Sequence, residues 1–211
     1  MKKTGIRALI LDYGGVISKP QNIDHFQEFL QILGTDENRF MDVYYTYRKD
    51  YDNGQLSGKE YWLKILQHLG HEPSDSFVNN MIKVDVNSWT EINRSMIGFI
   101  EESRSKVEKL AIISNMMQDT LAYMKSHFEW LKIFDEKIYS CEIGINKPDI
   151  RIFELCLRSL NISPQACLFV DDSRKNVFGA VKSGMNVIQY KSFPQFLLEF
   201  SKEYYLIGEQ E

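Results

Sequence analysis

The chain has 211 residues, of which 44% are hydrophobic and 26% charged, and its formal net charge is −4. That length suits one α/β domain with a smaller inserted module and excludes several independent domains, while the composition excludes a disordered or fibrous chain. The negative charge gives no reward for binding a nucleic-acid backbone or an anionic membrane, which leaves a small molecule as the expected partner.

The first predicted element is a buried strand over Ala8–Leu11. Lysines precede this apolar run as they would in a secretory signal, but Asp12 interrupts it, and no segment approaches the ~20 apolar residues that cross a bilayer. A cytoplasmic protein is expected. From Gln21 to Asn87 helical periodicity runs without a convincing strand. Inside it, Asp52, Asn53 and Gly54 read as a turn, and Ser57 stands three residues before Glu60, ahead of Tyr61, Trp62, Ile65 and Leu66. That spacing is a capping box and predicts a helix start.

Further along, amphipathic stretches at Ile92–Ile100, Thr120–His127, Ile150–Leu160 and Asn176–Ser183 alternate with short apolar runs at Leu110–Ile113, Ile138–Ser140, Cys167–Val170 and Val187–Tyr190. Runs that are apolar throughout are those of a parallel sheet covered on both faces. The alternation predicts an α/β fold, a doubly wound, Rossmann-like parallel sheet formed by residues 1–20 and 88–211, with a helical cap of residues 21–87 inserted after the first strand. Cys141, Cys156 and Cys167 are odd in number and lie in segments that read as core, so reduced thiols are expected in place of a disulfide frame.

Ligands of an open parallel sheet bind beyond the carboxyl ends of its strands. The residues found there are Asp12, Tyr13, Gly14 and Gly15 after the first strand, Ser114 and Asn115 after the second, Lys147 and Pro148 near the next, and Asp171 and Asp172 after the fourth. Phosphoryl transfer needs that inventory: a nucleophile, a cation, hydrogen-bond donors and acids to hold magnesium. Asp12 is suited to attack phosphorus and form an acyl phosphate that water then hydrolyses. Taken singly, Asp12 is a turn former, Ser114, Asn115, Asp171 and Asp172 are helix caps, and Lys147 is a solvated loop residue. Their conjunction at four strand ends favours a site. His68 and His71 lack a further metal ligand nearby, Tyr44, Tyr45, Tyr47 and Tyr51 read as partly core and partly substrate-facing, and Arg48 and Lys49 read as solvated.

LILDYGGVIS, IISN, GINKPDIRIF and LFVDDSRKNVFGA resemble, in order, the four motifs of the haloacid dehalogenase superfamily, and YDNGQLSGKEYW is similar to a cap segment of its phosphatase-like members. The resemblance implies a helical cap of the first type and an Mg²⁺-dependent phosphatase acting on a small phosphorylated metabolite. It makes Asp12 the nucleophile, with the Asp12 carboxylate, the Gly14 carbonyl and Asp172 as metal ligands. Asp171 acts through water or as a further ligand. Ser114, the Asn115 amide and Gly15 would meet the phosphate, Lys147 would neutralise phosphate and nucleophile, and Asn176 would fix its loop. The chain departs from most phosphatases of the superfamily in carrying Gly14 where they carry a second Asp, the general acid. That departure keeps two alternatives open, a 2-haloacid dehalogenase and a binding or regulatory module of the same fold. Retention of both Asp171 and Asp172 argues against the first, because neighbouring acids repel unless a cation binds them.

Overall fold

Five parallel strands in the order β4-β3-β2-β5-β6 form the centre of the computed structural model, which describes residues 3–209. They are β2 (Ala8–Leu11), β3 (Lys109–Ser114), β4 (Glu136–Tyr139), β5 (Cys167–Asp171) and β6 (Asn186–Gln189). The chain builds outward from β2 through β3 to β4, then crosses to β5 and β6 on the other side. The direction of winding therefore reverses beside β2, and the crevice of the sheet opens there. Leu9 is in register with Leu110 on one side and Leu168 on the other.

Side chains alternate across the sheet as the pleat requires. Leu9, Leu11, Leu110, Ile112, Leu168 and Val170 enter one core with α6 (Arg94–Ser103), α7 (Gln118–His127) and α11 (Phe193–Glu203). Ala8, Ile10, Ala111, Ile113 and Phe169 enter the opposite core with α9 (Ile150–Leu160) and α10 (Arg174–Lys182). Each fully buried Leu or Ile contributes about 1.5–3 kcal/mol, so every strand is anchored from both faces.

Between β2 and α6 the chain is helical: α1 (Gln27–Leu33), α2 (Glu37–Thr46), α3 (Arg48–Asp52), α4 (Gly58–His68) and α5 (Asp75–Ser88). The capping box of Ser57 and Glu60 starts α4. Phe26, Phe40, Tyr44, Tyr61 and Trp62 form an aromatic core of this insertion, closed on the sheet side by Met117. The outgoing and returning connections run side by side, with an antiparallel bridge between Ser18 and Ile92 and a bond from the Lys19 amide to the Glu91 carbonyl of 2.7 Å.

Some elements lay beyond the sequence pattern. A second, two-stranded parallel sheet joins β1 (Thr4–Ile6) to β7 (Tyr204–Leu206), each three residues long and too short to show a period. Helix α11 did leave a signal, a capping box of Ser192 and Gln195 with Pro194 in the first turn. The cysteines are free thiols: Cys156 and Cys167 are buried in the core of α9 and α10, and Cys141, half-buried in the short helix α8 (Ser140–Ile143), packs against the opposite core. Among the described residues no helix is long and apolar enough to cross a membrane.

Candidate active site

Asp12 leaves β2 with its amide bonded to the Val170 carbonyl at 2.9 Å, which sets it at the crevice. Its Oδ1 accepts from the Tyr13 amide at 2.7 Å and from Lys147 Nζ at 2.8 Å. Lys147 is buried, and its ammonium also donates to Asp171 Oδ2 at 2.7 Å and to the Ile113 carbonyl at 2.8 Å. All three ammonium protons are thereby used, so Lys147 presents charge to the site and holds no free donor towards a ligand. Asp171, fully buried, accepts in addition from the Ser173 amide at 2.8 Å and from Asn176 Nδ2 at 3.1 and 3.2 Å. Asp172 is exposed, and one carboxylate oxygen of each of Asp12, Asp171 and Asp172 lies within 4.8 Å of the others.

Burial pushes the Asp12 carboxyl up to about 7, the Lys147 ammonium opposes the rise, and Asp171 and Asp172 add to it. Asp172, though exposed, is raised by partial desolvation beside the cluster and by the neighbouring Asp171. For Lys147, burial favours the neutral amine, yet Asp12 and Asp171 outweigh it and raise the ammonium above its ordinary value. Three carboxylates thus share one cation, an excess of negative charge that suits a hard divalent ion with oxygen ligands.

The glycines divide the labour of the turn. Gly14 has φ −65°, open to any residue, whereas Gly15 has φ +73° and a Cβ there would lie 2.4 Å from Asp172 Oδ2. Gly15 is therefore required both for its left-handed backbone and to leave room for the Asp172 carboxylate. A Cβ on Gly14 would meet the ring of Trp89 at 3.2 Å. Trp89 stands where the chain returns from the insertion and is held by the Tyr13 hydroxyl, which donates to its carbonyl at 2.8 Å. The direction in which a side chain at position 14 would point is filled by indole.

Ser114 ends β3 with a buried hydroxyl whose bond to the Asn115 carbonyl, 3.4 Å, is long. The Asn115 side chain is committed elsewhere: its Nδ2 donates to the Lys147 carbonyl at 3.0 Å and its Oδ1 accepts from the Lys147 amide at 2.7 Å. This reciprocal pair fastens the lysine loop to the end of β3, a structural use that the sequence did not reveal.

A cavity of about 400 Å³ lies over Asp12 and Asp172, walled by Trp89 and Asn115 and, from the insertion, by Tyr45, Arg48 and Asp52. Arg48, expected to be solvated, is instead largely buried: Nε pairs with Asp52 at 2.7 Å, Nη2 reaches Met117 Sδ at 2.9 Å, and Nη1 contacts the Tyr44 hydroxyl and lies 3.5 Å from Asp85. The Arg48 to Asp52 spacing of one helical turn was the available sign. Tyr44 and Tyr51 are core, Tyr45 is exposed at the cavity, and Tyr47 pairs with His68.

An open parallel sheet with three acids and a lysine gathered at its switch point defines an α/β protein with an acidic cluster that could hold a metal ion. The chain belongs to the family described as haloacid dehalogenase-like hydrolase, whose model matches residues 64–190. D-ribitol-5-phosphate phosphatase from Bacteroides thetaiotaomicron is 22% identical over 204 residues, which are 87% of this chain and 91% of that protein. A HAD family enzyme from the same bacterium has the same fold, with a TM-score of 0.78 at 20% identity over 93% of this chain and 98% of that one, and has also been solved with magnesium and inorganic phosphate. L-2-haloacid dehalogenase from Xanthobacter autotrophicus shares the fold as well, with a TM-score of 0.65 at 21% identity over 93% of this chain and 82% of that one. Some relatives are far longer: the chain spans 5% of mouse Acyl-CoA dehydrogenase family member 10, at 43% identity over 58 residues or 28% of this chain.

Proposed function

We propose that the protein is a magnesium-dependent phosphatase that hydrolyses a small organic phosphate monoester through an aspartyl phosphate on Asp12. The observation that carries the reading is the Asp12 carboxylate held by Lys147 at 2.8 Å within 4.8 Å of two further acids. The phosphatase among the relatives and the magnesium and phosphate bound by the structural neighbour support it. A 2-haloacid dehalogenase is favoured by Gly14 and opposed by the retained acid pair, whose mutual repulsion is relieved by a cation.

The donor set fits Mg²⁺: hard carboxylate oxygens in excess of local positive charge. Asp12, the Gly14 carbonyl and Asp172 would hold the ion, with Asp171 behind them. When bound, the ion supplies Lewis-acid polarisation of a phosphate oxygen. The remaining work belongs to the chain. Lys147 favours the ionised form of Asp12, and the Tyr13 amide bonded to Oδ1 orients the carboxylate, leaving its other oxygen for phosphorus. The Ser114 hydroxyl, buried just beneath the cavity lining and only weakly engaged, would turn to donate to the phosphate. Asn115 acts through the lysine loop, and Asn176 fixes Asp171. The insertion serves as a cap over the cavity, excluding water and contacting the leaving group.

Screening phosphomonoesters and 2-haloacids with Mg²⁺ tests the class. Turnover of phosphates is expected; turnover of haloacids alone selects a dehalogenase, and silence on both selects a binding module. The two acids should separate in the same assay. Asp172→Asn is expected to raise the Mg²⁺ needed for half-maximal rate about a hundredfold, and Asp171→Asn only about tenfold, because outer-shell partners contribute less than direct ligands. Equal effects in the metal titration would refute that assignment.

A further inference from the structure

Gly14 leaves no carboxylic acid beside the nucleophile, and Trp89 fills the space where one would stand. Among the residues lining the cavity over Asp12, the carboxylates are Asp12, Asp172 and Asp52. The first two belong to the acidic cluster. The Tyr13 hydroxyl is committed to the Trp89 carbonyl. Among the carboxylic acids Asp52 remains, supplied by the insertion from the end of α3.

Asp52 is held firmly and has one oxygen to spare. Its Oδ1 accepts from Arg48 Nε at 2.7 Å, and its carbonyl accepts from Ser140 Oγ at 2.5 Å, a bond that ties α3 to the end of β4. Its side chain is 14% exposed, and Asp52 lines both the cavity over Asp12 and a neighbouring one beside the Lys147 loop. Burial raises the Asp52 carboxyl above its ordinary range against the pull of Arg48 and Lys147. Arg48 neutralises it only in part, because the same guanidinium also serves Asp85 and the Tyr44 hydroxyl. A phosphate dianion arriving beside Asp52 would raise its proton affinity further.

Resting on the phosphatase reading above, we propose that Asp52 is the general acid and base of the reaction, delivered from the insertion in place of the missing acid at Gly14. In the first half, an Asp12 oxygen bonds to phosphorus and the ester P–O bond breaks with its electron pair on the leaving oxygen, which takes the Asp52 proton and departs as the alcohol. In the second half, water bonds to phosphorus while Asp52 takes its proton, and the bond from phosphorus to Asp12 breaks to regenerate the carboxylate. The sum is ester plus water giving alcohol plus inorganic phosphate, with Asp52 protonated again.

The test compares wild type and Asp52→Asn, which keeps the shape and an oxygen for Arg48, in single-turnover phosphorylation by an alkyl phosphate and by acetyl phosphate. Acetate needs no proton to leave, so the ratio of alkyl to acetyl phosphate rates should fall by about 10²–10⁴ in the variant. The slower second half should also make the phosphoenzyme accumulate, read as one equivalent of phenolate released in a burst from an aryl phosphate. A ratio unchanged from wild type overturns the proposal, whether both rates fall together, as a merely structural role of Asp52 would produce, or neither falls. Asp52→Glu restores a carboxylic acid and should recover part of the ratio; no recovery in a folded Asp52→Glu protein counts against the proposal. Absence of wild-type turnover on every phosphate ester would sink the phosphatase reading and this one together, whereas wild-type turnover with an unchanged ratio sinks this one alone.

Discussion

Asp12→Asn is expected to abolish hydrolysis of an activated aryl phosphate, lowering kcat by a factor on the order of 10⁴ or more, as loss of a nucleophile does elsewhere. An amide neither attacks phosphorus nor binds a cation as an anion does. The fold should survive the change. Burial already pushes the Asp12 carboxyl up to about 7, so an ionised group there is a burden that the neutral amide removes. Lys147 keeps Asp171 and the Ile113 carbonyl. Asp12→Asn should therefore melt no lower than wild type in the absence of Mg²⁺ while being inactive in its presence. Undiminished turnover by carefully purified Asp12→Asn would remove Asp12 as nucleophile.

Lys147→Met is expected to harm both activity and stability. Among the described residues the ammonium is the single cation bonded to Asp12 and Asp171, and methionine matches its stem without its charge. Losing a preorganised charge from a desolvated site costs a factor of about 10²–10³ in kcat. Removing one partner of a buried ion pair typically costs about 3–5 kcal/mol, because the carboxylates stay behind uncompensated. Urea denaturation without Mg²⁺ should show that loss, and steady-state kinetics at saturating Mg²⁺ should show the fall in rate. Near wild-type behaviour in both would make Lys147 an ordinary loop residue.

The strand ends were legible because each combines an apolar run, which a doubly covered parallel sheet demands, with a polar residue that such a sheet does not. Asp12, Ser114 and Asp171 stand out on that ground, whereas Lys147 lies in a loop beyond β4 and α8 and was placed by its resemblance to a motif. What the sequence hid depends on contacts between distant segments. Nothing in IISN says that the Asn115 side chain will pair with the backbone of Lys147, 32 residues away. Arg48 looked solvated because Asp85, which shares it, lies 37 residues on. Gly14 could be read as an absence, but not that Trp89 fills it from the far end of the insertion. β1 and β7 escaped because three residues show no period and their pairing joins opposite ends of the described chain.

At the root of the insertion, the Lys19 amide bonds to the Glu91 carbonyl and the Asn93 amide to the Ile17 carbonyl, on either side of the bridge between Ser18 and Ile92. The insertion therefore hangs from a two-ply strap, not from two separate threads. Such a strap bends across its flat face but resists one ply sliding along the other, because sliding would break the bonds that join them. A swing about this root would be confined to a single arc, and it would also have to break the bonds from Ser140 to the Asp52 carbonyl and from the Tyr51 hydroxyl to Asp119. In such a swing Tyr45, Arg48 and Asp52 would travel as one body and meet Asp12 from one bearing, much as the rivet of a pair of shears decides where the blades close.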